Sequence, residues 1–405
     1  MRVLLTTWAW PSHYTPMVPL VWALRAAGHD VRVASQPALM DTVTASGATG
    51  VPTGPDLDHD VVRAQAMRGQ RLTTVPQVPP PGTSTAEWDP ADAERVQRVF
   101  AVFAAYAAAM LDDLADFADA WRPDLIVHDP TSYAGPLVAA ALSVPAVRHI
   151  HGVDVTYQAR HVIPGLITPL AARLGIGVPD ILGEVTIDPC PPTLQTPGDV
   201  RRLLMRYVPY NGPGTLPDWL RSAPSRPRIC ITWGTSTTRL EGGATFLPPR
   251  VLAAITGVDA QIVLALAPHD AAAMGAVPPG VIVAPELPLH LLLPSCAAVI
   301  HQGGNSTLLT GALHGVPQLV LPQLPDQVFQ ASRVAQAGAG LMLRGDEVSP
   351  PAIRAALECL LASPGCRSQA ARISAEMRAT ATPAAAVGEL EALADSFSGR
   401  SHVHT

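Results

Sequence analysis

Residues 301–307 read His-Gln-Gly-Gly-Asn-Ser-Thr, and they carry residue types suited to one task, holding a diphosphate. Gly303 and Gly304 let the backbone come close to a ligand. Asn305, Ser306 and Thr307 are good N-cap residues for the apolar segment 308–314 that follows. A helix N-terminus presents free N–H groups and a partial positive charge, which suits an anion. The apolar run 297–300 just before the cluster reads as a short buried strand, so the polar residues fall at its carboxyl end, where open α/β sheets bind ligands.

A second set of residues could move a proton. His13 lies in the turn after the first apolar run, and histidine as a type suits a general base that removes a hydroxyl proton. The same residue also reads as a helix-cap or surface histidine. Asp129 follows the run 124–128 (DLIVH) and could orient the His13 ring, or could simply form a turn before Pro130. Trp8, Trp10, Tyr14, Phe100, Phe103 and Tyr133 suit a flat apolar acceptor, although aromatics on such faces are commonly core. His149 and His151 have the HxH spacing of metal ligands, but no third ligand of matching spacing follows, so His151 is read as lining an acceptor pocket and no metal site is expected. The segment Asp56-Leu57-Asp58 follows Gly54-Pro55 in a loop, and reads as a solvated acidic turn rather than a metal-diphosphate site.

These residues need a scaffold, and the chain supplies two. Residues 2–7, 16–27 and 29–34 read as strand, helix and strand, the opening of a doubly wound α/β domain. The turn at 8–15 lacks GxGxxG, which removes most support for a nicotinamide or flavin dehydrogenase. Residues 50–98 read as long loops over the acceptor side. Helix resumes over 91–120, and strands are expected at 124–128 and 146–150. A Pro- and Gly-rich stretch separates this half from a second series that begins with a strand at 228–232. Further strands are expected at 261–266, 281–283, 297–300 and 318–321. The expected domains are 1–208, a linker 209–226, 227–382, and a C-terminal helix and tail 383–405.

Composition narrows the chemistry. All 27 cationic residues among the 405 are arginine, so a P-loop lysine, a Schiff-base lysine and a kinase-type lysine are excluded together. A net charge of −6, with charged residues at 15%, gives no basic surface for nucleic acid. No apolar run reaches the ~18–20 residues needed to span a bilayer. Five cysteines without a CxxC pair, and no signal-peptide pattern, fit a reducing cytoplasm.

With these residues in place, the chain resembles family 1 glycosyltransferases, specifically the actinobacterial enzymes that attach deoxysugars to antibiotics and other polyketide natural products. The resemblance is carried by HQGG, ALHGVPQLVLPQLPDQ and AQAGAGL between residues 301 and 341, and more weakly by PSHYTPMVPL, RPDLIVHDP and ICITWGTS. It implies the GT-B fold, two Rossmann-like α/β domains facing across a cleft, with the C-terminal helix and tail 383–405 packing back toward the first domain. It also implies an inverting, metal-independent transfer with no cofactor beyond a nucleotide-sugar co-substrate, and a hydrophobic aglycone as acceptor. By this likeness His13 is the base and Asp129 its partner. Thr235, Ser236, His301, Asn305 and Ser306 contact the diphosphate, and Asp326 and Gln327 bond to sugar hydroxyls. Members with a ribonucleotide donor commonly carry a glutamate three residues after the position of Ser306. Leu309 stands there in this chain, which favours deoxyribose and therefore a dTDP-sugar. Leu287, in place of the usual tryptophan segment, is the candidate base contact. A non-catalytic auxiliary partner of another glycosyltransferase, and an epimerase or hydrolase of the same fold, are the alternatives, and monomer and homodimer are both compatible with the sequence.

Overall fold

The computed structural model describes residues 1–67, 90–234 and 246–401. They form two α/β units. The first comprises Met1–Pro189, Thr196–Arg206 and the chain from Thr380 onward, and the second comprises Cys190–Gln195 and Tyr207–Ala379.

The first unit is built on seven parallel strands: β1 (Arg2–Thr6), β2 (Asp30–Ser35), β3 (Thr49–Pro52), β4 (Leu125–His128), β5 (Ala146–His149), β6 (Val185–Asp188) and β7 (Arg202–Leu204), in the order β3-β2-β1-β4-β5-β6-β7. Helices on both faces explain why β1 and β4 are almost uniformly apolar and buried. The long helix Pro90–Trp121 covers one face, placing Met110, Leu111, Leu114 and Ala118 in a core with Leu4, Ile126 and Leu137. Each such leucine contributes about 1.5–3 kcal/mol through its burial. The last helix, Pro383–Ser401, also belongs to this unit. It buries Ala386, Val387, Leu390, Leu393 and Ala394, a helical stripe, and packs on the helix Val18–Ala26. Glu391 meets His29 at 3.1 Å.

The second unit repeats the plan with six parallel strands: β8 (Arg228–Ile231), β9 (Gln261–Leu264), β10 (Ile282–Val283), β11 (Ala298–His301), β12 (Gln318–Val320) and β13 (Gly340–Met342), in the order β10-β9-β8-β11-β12-β13. Ile229, Ile231, Ile300 and Leu319 project into its main core with Trp233. In both sheets the winding reverses once, between β1 and β4 and between β8 and β11. These are the topological switch points, where ligands of doubly wound sheets bind.

Several elements depart from the sequence expectations. Strands β3, β6, β7 and β13 were not anticipated, and the segment expected to be loop contains β3 and a helix at His59–Met67. Its residues 68–89 lie outside the described residues. The expected linker begins inside the second unit: the Tyr207 hydroxyl donates to the Ser306 carbonyl at 3.2 Å, and the His290 N–H donates to Asn211 Oδ1 at 3.2 Å.

Candidate active site

The switch point of the first unit gathers three side chains from three strand ends. β1 runs beside β4 with Thr6 opposite His128, so the chain leaves both strands side by side, and the Asp129 N–H donates to the Thr6 carbonyl at 2.9 Å. After β1 the chain turns through Trp10, in extended conformation, into a short helix, Pro11–Tyr14, which carries His13. Proline at its first position lacks only an N–H that a first turn cannot use. β5, on the other side of β4, delivers His151 two residues beyond its end.

Asp129 is 1% exposed and His13 17%. One carboxylate oxygen, Oδ1, accepts from the Thr131 N–H at 2.8 Å and from the Thr131 hydroxyl. The other, Oδ2, lies 2.8 Å from His13 Nδ1. This pairing assigns the ring proton to Nδ1 and leaves the lone pair on Nε2, which has no hydrogen-bond partner among the described residues. Burial would raise the pKa of Asp129, but the His13 ring, by charge and hydrogen bond, together with His151 and Thr131, brings it down to about 2. The carboxylate is therefore ionised at neutral pH. His151 Nε2 stands 3.4 Å from His13 Nδ1 and 3.8 Å from Asp129 Oδ2, and burial lowers its pKa to about 4. A buried anion holding a histidine in one tautomer is the arrangement of a general base.

Aromatic rings flank this group. Trp8 meets the His13 ring edge-on at 4.9 Å, stacks on Trp10 at 5.1 Å, and donates from Nε1 to the Thr131 hydroxyl at 3.1 Å. Phe103 lies 5.5 Å from Trp8 and 5.9 Å from Phe100. His59 and Tyr106, which the sequence reading missed, complete the wall. His59 is 4.9 Å from Trp10 and shares a 3.2 Å hydrogen bond with Tyr106, whose ring is 4.8 Å from Trp8. Tyr106 was within reach of inference, because it continues the three-residue spacing of Phe100 and Phe103 on one helix. Thr131 was too, since Asp-x-Thr commonly closes on itself.

Three expected acceptor contacts are corrected. Tyr14 is fully buried and bonds through its hydroxyl to Ser46 at 2.6 Å, while Tyr133 and Phe100 are both buried within the main core. The HxH pair also separates: His149 is buried with both ring nitrogens unpartnered, whereas His151 joins His13 and Asp129. Asp56 and Asp58 serve the backbone. Asp56 accepts from the Ala38 N–H at 2.8 Å, and Asp58 caps the helix start at Asp60 and Val61.

The switch point of the second unit is made differently. β8 leads through Trp233 to Gly234, and β11 leads through Gln302 and Gly303 to the helix Asn305–Leu313, with Gly304 at its N-cap. Gly303 has φ +98°, and a Cβ there would lie 3.1 Å from Val320 and 3.2 Å from Gln327. At Gly234, φ +63°, a Cβ would collide with the Gln302 amide. The N–H groups of Asn305, Ser306 and Thr307 open the helix and have no acceptor within it. The Gln302 and Asn305 side-chain oxygens are buried without a partner beside them. Thr235 and Ser236 lie outside the described residues.

His301 itself is fully buried. Its Nε2–H donates to Gln318 Oε1 at 2.9 Å, and its Nδ1 accepts from the Gly303 N–H at 3.1 Å. Neither nitrogen is open to a diphosphate in this conformation; the ring braces the loop instead. Burial lowers its pKa to about 4. Gln327 uses Oε1 to accept from the Gln323 and Leu324 N–H groups, closing the start of the helix Pro325–Gln336, while Asp326 is exposed. Leu309 is fully buried and faces no open surface, and Leu287 packs half-buried with Leu292 and Leu293.

Comparison with known proteins agrees along nearly the whole chain. A family model described as erythromycin biosynthesis protein CIII-like matches in two parts, its N-terminal domain over residues 22–234 and its C-terminal domain over 249–393. A 10-deoxymethynolide desosaminyltransferase from Streptomyces venezuelae is 39% identical over 97% of each chain, and a TDP-daunosamine transferase from Streptomyces peucetius is 38% identical over 97% of each. Among solved structures, the glycosyltransferase VinC in complex with dTDP superposes with a TM-score of 0.80 at 32% identity, covering 98% of this chain and 100% of that one. A spinosyn rhamnosyltransferase complexed with spinosyn aglycone gives 0.80 at 30% identity, covering 96% and 100%.

Proposed function

The chain belongs to the erythromycin biosynthesis protein CIII-like family and is a natural-product glycosyltransferase of GT-B fold; on that premise we propose that it moves a deoxysugar from a dTDP-sugar to a hydroxyl of a polyketide-type aglycone, with inversion and without a metal. The observation that carries the mechanism is the 2.8 Å contact of His13 Nδ1 with the buried Asp129 carboxylate, from which the tautomer follows.

His13 Nε2 takes the proton of the acceptor hydroxyl as its oxygen attacks the anomeric carbon. The bond from that carbon to the diphosphate oxygen breaks, and its electron pair leaves with dTDP. One displacement on the face opposite the leaving group inverts the centre. The imidazolium that forms is stabilised by the ionised Asp129 beside it, held by Thr131. The developing charge on dTDP falls to the helix N-terminus at Asn305–Thr307, which Gly304 opens as its N-cap. In this reading Asp326, exposed in the first turn of its helix, bonds sugar hydroxyls. The half-buried rings of His59 and Phe103, backed by Trp8, Trp10 and Tyr106, suit an apolar aglycone.

Leu309 is inside the core and does not face the nucleoside, so it is not what supports dTDP. The choice of dTDP rests on the dTDP complex of VinC and on the TDP-daunosamine transferase. A ligand that binds only the folded state raises its melting temperature by mass action. We therefore expect dTDP to raise Tm more than UDP at matched concentration; equal shifts, or a larger one with UDP, would reject the dTDP donor.

A further inference from the structure

We propose that His13, Asp129 and His151 also form a site for a divalent transition-metal ion of the zinc type, and that its occupation switches the base off. The switching half rests on the role given to His13 above; the binding half rests on geometry alone.

The three ligand atoms form a small triangle: His13 Nδ1 to Asp129 Oδ2 is 2.8 Å, His13 Nδ1 to His151 Nε2 is 3.4 Å, and His151 Nε2 to Asp129 Oδ2 is 3.8 Å. A tetrahedral ion about 2.0–2.1 Å from each ligand holds neighbouring ligand atoms roughly 3.3 Å apart. The observed separations bracket that value, so a shift of roughly half an ångström at each atom makes the site. Among the described residues this is the one set of three histidine, cysteine or carboxylate groups whose ligand atoms converge in this way.

The donor set is selective. Two imidazoles and one carboxylate suit zinc and its neighbours, whereas magnesium and calcium prefer oxygen alone. Three protein ligands leave a fourth position for water. The orientation of the carboxylate is already fixed, because Thr131 holds Oδ1 through its N–H and hydroxyl and so turns Oδ2 toward the two rings. Each ligand leaves a different strand, β1, β4 or β5, and the parallel register of these strands sets their spacing.

An ion on His13 Nδ1 must displace the proton that Nδ1 donates to Asp129. In the neutral ring that proton moves to Nε2, the nitrogen that otherwise takes the acceptor proton, and Asp129 becomes a metal ligand instead of the partner of an imidazolium. The base is lost by a change of tautomer, with no bond made or broken in the substrate. Nothing in this scheme touches the diphosphate loop of the second unit.

The test uses cobalt(II) as a spectroscopic stand-in, titrated into the full chain. We expect one ion per chain, visible absorption of the intensity given by four-coordinate cobalt, and displacement by zinc. His151→Ala, His151→Gln and Asp129→Ala should each weaken binding by about tenfold or more, while a dTDP-induced rise in Tm shows that each variant is folded. Zinc should lower kcat and leave the dTDP-induced rise unchanged. Absence of a bound ion, binding that survives these substitutions, or sulfur-to-cobalt charge transfer from a cysteine would overturn the site. Zinc bound at full occupancy with transfer undiminished would keep the site and overturn its switching role, and with it the base assigned to His13.

Discussion

The two switch points share a topology and differ in what arms them. Both lie where the sheet reverses its winding, at β1/β4 in one unit and β8/β11 in the other. In the first, side chains from three strand ends converge, and His13 keeps one ring nitrogen clear of the protein. In the second, Gly234 and Gly303 at positive φ turn the backbone toward a helix start, while His301 has both nitrogens engaged, by Gln318 and Gly303. A proton carrier needs a titratable atom with a free lone pair, which only a side chain can supply. A diphosphate needs fixed donors, which a helix start supplies without any charged residue. A histidine at a strand end is therefore not a catalytic group by position; the partner of its second nitrogen decides.

The sharpest way to break this comparison is to remove the His13 ring. His13→Ala should reduce transfer by roughly 10³-fold with the dTDP-induced Tm rise intact. Asp129→Asn tests the tautomer: Thr131 keeps the amide oxygen, the amide NH₂ then faces His13, and the ring is driven to carry its proton on Nε2. Transfer should fall by roughly 10²-fold or more. Near-normal turnover in either variant, measured at saturating donor, would remove the base from the first unit. In the second unit the corresponding lesion is steric. Gly303→Ala places a Cβ 3.1 Å from Val320 at φ +98°, so stability should fall by about 1–3 kcal/mol, and the dTDP-induced rise should shrink even at temperatures where the variant is folded. A full rise would mean that the diphosphate does not use this loop.

Much of this scaffold was legible in the sequence, and the failures are instructive. β1, β4, β8 and β11 are short apolar runs closed by turn residues, a signal that local reading catches. β3 (TGVP) and β13 (GLM) are too short and too rich in glycine and proline to carry it, and exist because a neighbouring strand pairs with them. His13 could be singled out as a candidate base from its place in the first turn of a doubly wound unit, although the same place also suits a helix cap or a surface histidine. The contrast with His301 was not legible, since it depends on Gln318, seventeen residues on and one strand across. Tyr14 and Tyr133 failed for a similar reason: their types fit a pocket wall, and only the Ser46 hydroxyl and the packed core show them to be interior. His151 was read as a pocket residue because no third ligand follows the HxH pair at matching spacing, while the convergence with His13 and Asp129 comes from the register of β4 on β5.

The smallest predicted effect separates buried histidines with partners from one without. His128, His149, His151 and His301 all have folded pKa values of about 4, lowered mainly by burial, against 6.5 for an exposed ring. As pH falls the unfolded chain takes up these protons first, so stability is complete above about 6.5 and is lost progressively toward pH 4. Asp129 acts in the same direction but lower, between its ordinary 3.8 and about 2. Each histidine contributes at most about 1.4 kcal/mol per pH unit within its window. His149 is the cleanest probe, because both its nitrogens are buried without a partner and it takes no part in the base. His149→Phe keeps a flat ring and removes the titration. The variant should be at least as stable as the parent at pH 5, and its stability should fall less steeply between pH 6.5 and 4, by up to that one-histidine slope. Parallel curves for the two proteins in urea titrations across this range would show that His149 is already protonated, or hydrated, in the folded state.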